Sequence, residues 1–117
     1  MLNVTLLKIP VTDLQQSVKF YESVLGLSAR YIVEEYGWAQ LDGATVAIAL
    51  YVPGRGGGQR SPGGSVDFHL GHSQLDELKR RASNVTKTVA IHNNNDGSRS
   101  LEFLDPDGNE IKIMETL

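Results

Sequence analysis

The sequence predicts an α+β fold made of two tandem copies of one unit: a strand, a helix and three further strands. Three observations predict it. The same order of patterns occurs twice, offset by a little over sixty residues. In each copy a helix-spaced apolar set follows the first strand, and short strand-like runs with glycine turns follow the helix. Between the copies lies PGRGGGQRSPGG, residues 53–64, in which six of twelve residues are glycine. The units are thus 1–52 and 65–117, joined by a Gly-rich linker at 53–64, all within one domain of 117 residues.

In the first unit residues 2–10 read as a strand. Thr12 followed by Gln15 forms a capping-box start. Leu14, Val18, Tyr21 and Leu25 recur at helical spacing, and Gly26 supplies the left-handed end. Strands are expected over 28–34, 37–42 and 45–52, with turns at Tyr36-Gly37 and Asp42-Gly43. The second unit opens with a strand over 65–71, then Ser73 as a cap and a helix carrying Leu75, Leu78 and Ala82. Three more strands are expected near 86–92, 98–104 and 110–115, separated by Asn95-Asp96-Gly97 and Asp107-Gly108.

Composition excludes several classes of function. The net charge is -3 and no segment concentrates Lys and Arg, which argues against a nucleic-acid partner. The chain has no cysteine, so it has no disulfides, thiolate metal sites or cysteine nucleophiles. No apolar run has membrane-spanning length and no secretory leader is evident, so a cytoplasmic protein without a membrane partner is expected. There is no Gly-x-Ser-x-Gly, no P-loop and no dinucleotide fingerprint. The Gly-rich segment lacks the Gly-Lys-Ser/Thr and the following helix of a phosphate cradle, and reads as a flexible spacer. In DPDGNE, residues 105–110, the glycine stands at the fourth position and Thr116 falls where a calcium loop needs glutamate, so a β-turn with a bulge is expected.

The stretch SVDFHLGH, residues 65–72, alternates. Val66, Phe68 and Leu70 fall on one side of an extended chain, Asp67 and His69 on the other. The first set suits packing beneath a helix. A carboxylate and an imidazole on the opposite face need another explanation.

VTDLQQSVKFYESVLGL, residues 11–27, and FLDPDGNEIKI, residues 103–113, resemble the glyoxalase / bleomycin-resistance / extradiol dioxygenase superfamily, the vicinal oxygen chelate fold. The resemblance implies paired βαβββ modules whose curved sheets enclose a cleft, commonly in a homodimer. It sends Asp67 and His69 into that cleft with Leu6 and Lys8, with Ala47, Ala49 and Tyr51, and with Lys112 and Met114. It also implies, for the family's enzymes, a divalent metal held by His or Glu on the inner strands. The matching positions here hold Leu6, Ala47, Asp67 and Lys112. Leucine and alanine offer no lone pair and an ammonium repels a dication, so no metal and no other cofactor is expected. Asp67 and Lys112 are expected to form an ion pair across the floor of the cleft.

The expected function is binding of a small molecule, such as a drug or toxic metabolite to be sequestered, by Asp67, His69, Lys112, Tyr51, Trp38, Ala47, Leu6 and Met114. No catalytic residue is assigned on this reading. The alternative is an enzyme of the same superfamily, a metal-dependent or acid/base lyase, isomerase or dioxygenase, with His69 oriented by Asp67. Tyr31 is a further ring for a flat ligand, and Arg55 and Arg60 either close over an anion or stay solvated. His72 and His92 are expected to be solvated, and Phe20 and Tyr21 to be core residues.

Overall fold

Helical spacing and caps account for both helices. The computed structural model describes residues 1–64 and 66–117; Ser65, where the expected strand 65–71 begins, lies outside the described residues. Strand β1 (Leu6–Pro10) leads to helix α1 (Leu14–Leu25), which buries Leu14, Val18, Tyr21 and Val24 and ends at Gly26 with φ 72°. That left-handed conformation lets the Gly26 N–H return to the Glu22 carbonyl. The N-cap is Asp13, whose carboxylate accepts the Gln16 N–H, so the Thr12 capping box is replaced by a simpler cap one residue on.

Strands β2 (Ser28–Val33), β3 (Trp38–Asp42) and β4 (Ala47–Tyr51) complete the first sheet in the order β1-β4-β3-β2, with β1 and β4 parallel. The second module repeats this. Strand β5 (His69–His72), helix α2 (Leu75–Ser83), and strands β6 (Ala90–Asn93), β7 (Arg99–Leu104) and β8 (Glu110–Glu115) form a sheet in the order β5-β8-β7-β6. Both sheets are open and mixed.

Several boundaries differ from expectation. β1 starts at Leu6 and β6 at Ala90, later than the sequence suggests. β5 starts at His69, so Asp67 precedes the strand and is exposed. Ser73 does not cap α2: the N-cap is Gln74, and its N–H is taken by Nδ1 of His72 at 2.9 Å. His72 is therefore a half-buried hydrogen-bond acceptor and not a solvated ring. Arg99 ties α2 to the sheet by reaching Asp76 at 3.1 Å and Glu115 at 2.5 Å. Its guanidinium holds both carboxyls below their ordinary range.

One core spans both modules, containing Ile9, Val18, Tyr21, Leu41, Ile48 and Leu50 from the first and Leu75, Leu78, Leu101, Phe103, Ile111 and Ile113 from the second. Phe20 of α1 meets Phe103 of β7 with ring centroids 6.0 Å apart. The DPDGN turn joins the modules with polar bonds. Buried Asp105 accepts from the Tyr21 hydroxyl at 2.7 Å, from the backbone N–H of Asp107 and Asn109, and from Asn109 Nδ2. Asn109 Nδ2 also donates to the Pro10 carbonyl, and its Oδ1 accepts the N–H groups of Gly63 and Gly64. Burial, and then the Asp105 charge, push the Tyr21 hydroxyl well above its ordinary pKa. Removing one member strands the others. Asn109→Ala is expected to cost about 2–4 kcal/mol and Tyr21→Phe about 1–3 kcal/mol, read as a lowered urea midpoint with an unchanged slope.

Candidate functional site

Because strand side chains alternate, the residues between the core positions form the opposite face of each sheet. On the first sheet that face is set by register. Leu6 and Lys8 of β1 lie beside Ala47 and Ala49 of β4; Ala49 in turn meets Gln40 of β3, and Tyr51 meets Trp38. Tyr31 and Val33 of β2 extend the row, and the Tyr31 hydroxyl donates to Gln40 Oε1 at 2.7 Å.

The Gly-rich segment does not merely span the gap between modules. It lies on this face. A Cβ at Gly57 would come within 2.8 Å of the Trp38 ring, and one at Gly58 within 2.6 Å of the Tyr51 ring. Only glycine permits so close an approach. Tyr51 is consequently 2% exposed and is closed to a ligand while this strap is in place. Lys8 Nζ donates to the Gly57 carbonyl at 2.6 Å and stands 5.3 Å from the Tyr51 ring centroid. Arg55 Nη1 donates to the Glu34 carbonyl at 3.3 Å. Beside the strap a hollow of about 510 Å³ remains, with Trp38, Tyr31, Tyr36, Leu6, Lys8 and Arg55 in its walls.

The corresponding face of the second sheet is polar. His69 lies beside Lys112, and Lys112 beside Glu102. Lys112 Nζ is 3.5 Å from Glu102 Oε1, and His92 Nε2 is 3.1 Å from Glu102 Oε2. The carboxylate partner of Lys112 is therefore Glu102, replacing the expected Asp67, and His92, exposed as expected, also reaches that carboxylate. The physical reason is register: Glu102 is the direct cross-strand neighbour of Lys112, whereas Asp67 lies outside β5. Lys112, Glu102, His92, Ser100 and the run Asn93–Asn95 line an open hollow of about 420 Å³. A third pocket of about 410 Å³ lies between the modules, where His69, Gly71 and His72 meet aliphatic residues such as Leu7, Leu25 and Ile113.

The expected ligand-binding residues are thus divided among several places. Trp38 and Leu6 share the aromatic hollow, Lys112 lines the polar one, and His69 lines the pocket between modules. Ala47 and Met114 are half-buried in the same rows but line none of these spaces, and Asp67 is exposed ahead of β5. Glu102 and His92 are the residues that sequence reading missed. Their signal is present as parity, since Ser100 and Glu102 share a face of β7 that the core residues Leu101 and Phe103 do not.

The repeat also tests whether this chain could hold the family's metal. β1 runs into α1 as β5 runs into α2, which makes Lys8 the counterpart of His69 and Leu6 that of Asp67. The parallel partners then make Ala49, not Ala47, the counterpart of Lys112. Either alanine lacks a donor atom, and so does Leu6. Among the described residues no group of three or more His, Asp or Glu is gathered as a metal site would need. The donor set does not fit a divalent ion.

A sequence model of the Glyoxalase/Bleomycin resistance protein/Dioxygenase superfamily matches residues 3–113. No curated protein matches the chain. Among solved structures, a superfamily member from Sphaerobacter thermophilus DSM 20745 is 24% identical with a TM-score of 0.82, covering 99% of this chain and 98% of that one. A lactoylglutathione lyase from Agrobacterium tumefaciens is 19% identical with a TM-score of 0.80, covering 97% and 92%. A glyoxalase-related enzyme from Fulvimarina pelagi is 16% identical with a TM-score of 0.78, covering 99% and 89%. These likenesses are of fold.

The tight seat of the strap can be tested directly. Gly58→Ala is expected to lift the strap from Tyr51 at a cost of about 1–3 kcal/mol. Hydrogen exchange should then quicken at the Gly54 amide, which donates to the Gly58 carbonyl, while amides of β7 and β8 keep their protection.

Proposed function

The chain belongs to the Glyoxalase/Bleomycin resistance protein/Dioxygenase superfamily, and from that premise we propose that it is a small-molecule binding protein that holds its ligand in the aromatic hollow of the first sheet without a metal ion. The observation that carries this reading is the residue set of β1 and β4. The positions of this sheet that the family's enzymes use for ligating side chains hold hydrocarbon here, Leu6 on β1 and, by the register of the repeat, Ala49 in place of Ala47 on β4, and the same face carries Trp38 and Tyr31. A site that has hydrocarbon in place of donors binds by shape, apolar contact and ring stacking. The hollow of about 510 Å³ has the size of such a site. Sequestration of a drug or toxic metabolite is the simplest use for it.

The reading predicts that small aromatic compounds raise the melting temperature of the wild type. Trp38→Ala should weaken their binding by about 10- to 100-fold, the loss expected for one large apolar side chain. Elemental analysis of protein purified without chelator should find no stoichiometric nickel, zinc or iron. A tightly bound ion on every chain would overturn the proposal.

One observation favours a second reading, an acid/base enzyme. Glu102 holds His92 by Nε2, the arrangement in which a carboxylate orients an imidazole that then moves a proton at its other nitrogen. This pair takes the place of the Asp67–His69 pair considered from sequence. If it operates, a turnover screen against carbonyl compounds gives activity that His92→Ala and Glu102→Gln both abolish, while Trp38-dependent binding persists. Turnover equal in wild type and both variants would dismiss it.

A further inference from the structure

The aromatic hollow has a charge that the whole chain does not share. Its walls contain two cations, Lys8 and Arg55, and no carboxylate, in a chain of net charge -3. Among the described residues neither cation belongs to an ion pair. Both instead donate to neutral backbone carbonyls, Lys8 to Gly57 and Arg55 to Glu34. The carboxylate of Glu34 is taken by the Gln15 amide and lies outside the walls. A carbonyl is the weaker acceptor for an ammonium. A carboxylate or similar anion adds to the hydrogen bond the attraction of a full opposite charge.

We infer that the ligand is an amphipathic anion, a flat apolar body with one anionic group, and that Lys8 selects the anion and in doing so releases the strap. The inference rests on reading this hollow as the ligand site. The apolar body would lie against Trp38 and Tyr31, within reach of the Lys8 ammonium on the same face. The exchange is simple in its chemistry: Lys8 gives up the Gly57 carbonyl for the ligand's oxygen, and no covalent bond changes. Since that hydrogen bond is one of the ties of residues 56–58 to the sheet, its loss frees the strap that covers Tyr51. A neutral ligand of the same shape leaves the Lys8–Gly57 bond in place. A cationic one meets two like charges.

The test uses three probes of one shape on the intact chain: naphthoate, naphthamide and naphthylmethylammonium. By isothermal titration calorimetry naphthoate should bind about tenfold more tightly than naphthamide, because it adds an ion pair with Lys8 where the amide offers only a neutral acceptor, and the cation should bind most weakly. Lys8→Met, which keeps the apolar stem of an exposed side chain but removes the bond to Gly57, should abolish the preference for naphthoate over naphthamide and quicken exchange at Gly54 without ligand. Naphthoate, but not naphthamide, should quicken hydrogen exchange at Gly54 in the wild type. Equal affinity for acid and amide, with both lost in Trp38→Ala, overturns the inference and leaves the site intact. A preference that survives in Lys8→Met overturns the role of Lys8, and unchanged exchange overturns release of the strap. If none of the three binds the wild type, the reading of the hollow as a ligand site falls and the inference with it.

Discussion

The carboxylate of Asp105 is the point on which this architecture depends. It is buried, and four donors converge on it from Tyr21, Asp107 and Asn109. A buried charge is tolerated only where its lone pairs are so occupied. The bonds arrive from distant parts of the chain: Tyr21 brings α1 of the first module, and Asn109 reaches on to the end of β1 at Pro10 and to the strap at Gly63 and Gly64. Thr12 N–H adds a bond to Asp107. One turn of the second module thereby sets where the first helix, the first strand and the connecting segment lie.

Given that anchor, the chemistry of the surface follows from strand parity. Each strand has one side committed to the shared core, where Ile9, Ile48, Leu50, Leu101, Ile111 and Ile113 are all essentially inaccessible. Whatever is functional must use the other side. The two modules have spent that freedom differently. The first carries aromatic rings and hydrocarbon with two cations, and the second carries a compensated row of imidazole, carboxylate and ammonium. The repeat duplicates the backbone but not the chemistry of the face turned away from the core.

Much of this was legible in the sequence. Helical spacing located α1 and α2, glycine and Asp-Gly turns located the breaks between strands, and the repeated order identified the fold, because all of these are local signals. Alternation also located the faces correctly: Phe68 and Leu70 pack on the core while His69 lies on the other side beside Lys112. What escaped was pairing between strands. The partner of Lys112 depends on the register between β7 and β8, which no local pattern sets, and so the sequence points to Asp67 where Glu102 stands. The seat of the strap escaped for a similar reason. A run of glycines has the composition of a free spacer, and its function as a surface that lets backbone approach two rings is visible only when the rings are in place. His72 was misjudged because its acceptor role comes from the geometry of a helix start, not from its residue type.

The chain has a single tryptophan, Trp38, and it lies against Gly57 of the strap. The emission of that indole therefore comes from one known place, at the contact between the covering segment and the ring wall. Any shift in the polarity around it reports the state of the covered face in unlabelled protein, so the molecule carries its own spectroscopic gauge at the strap.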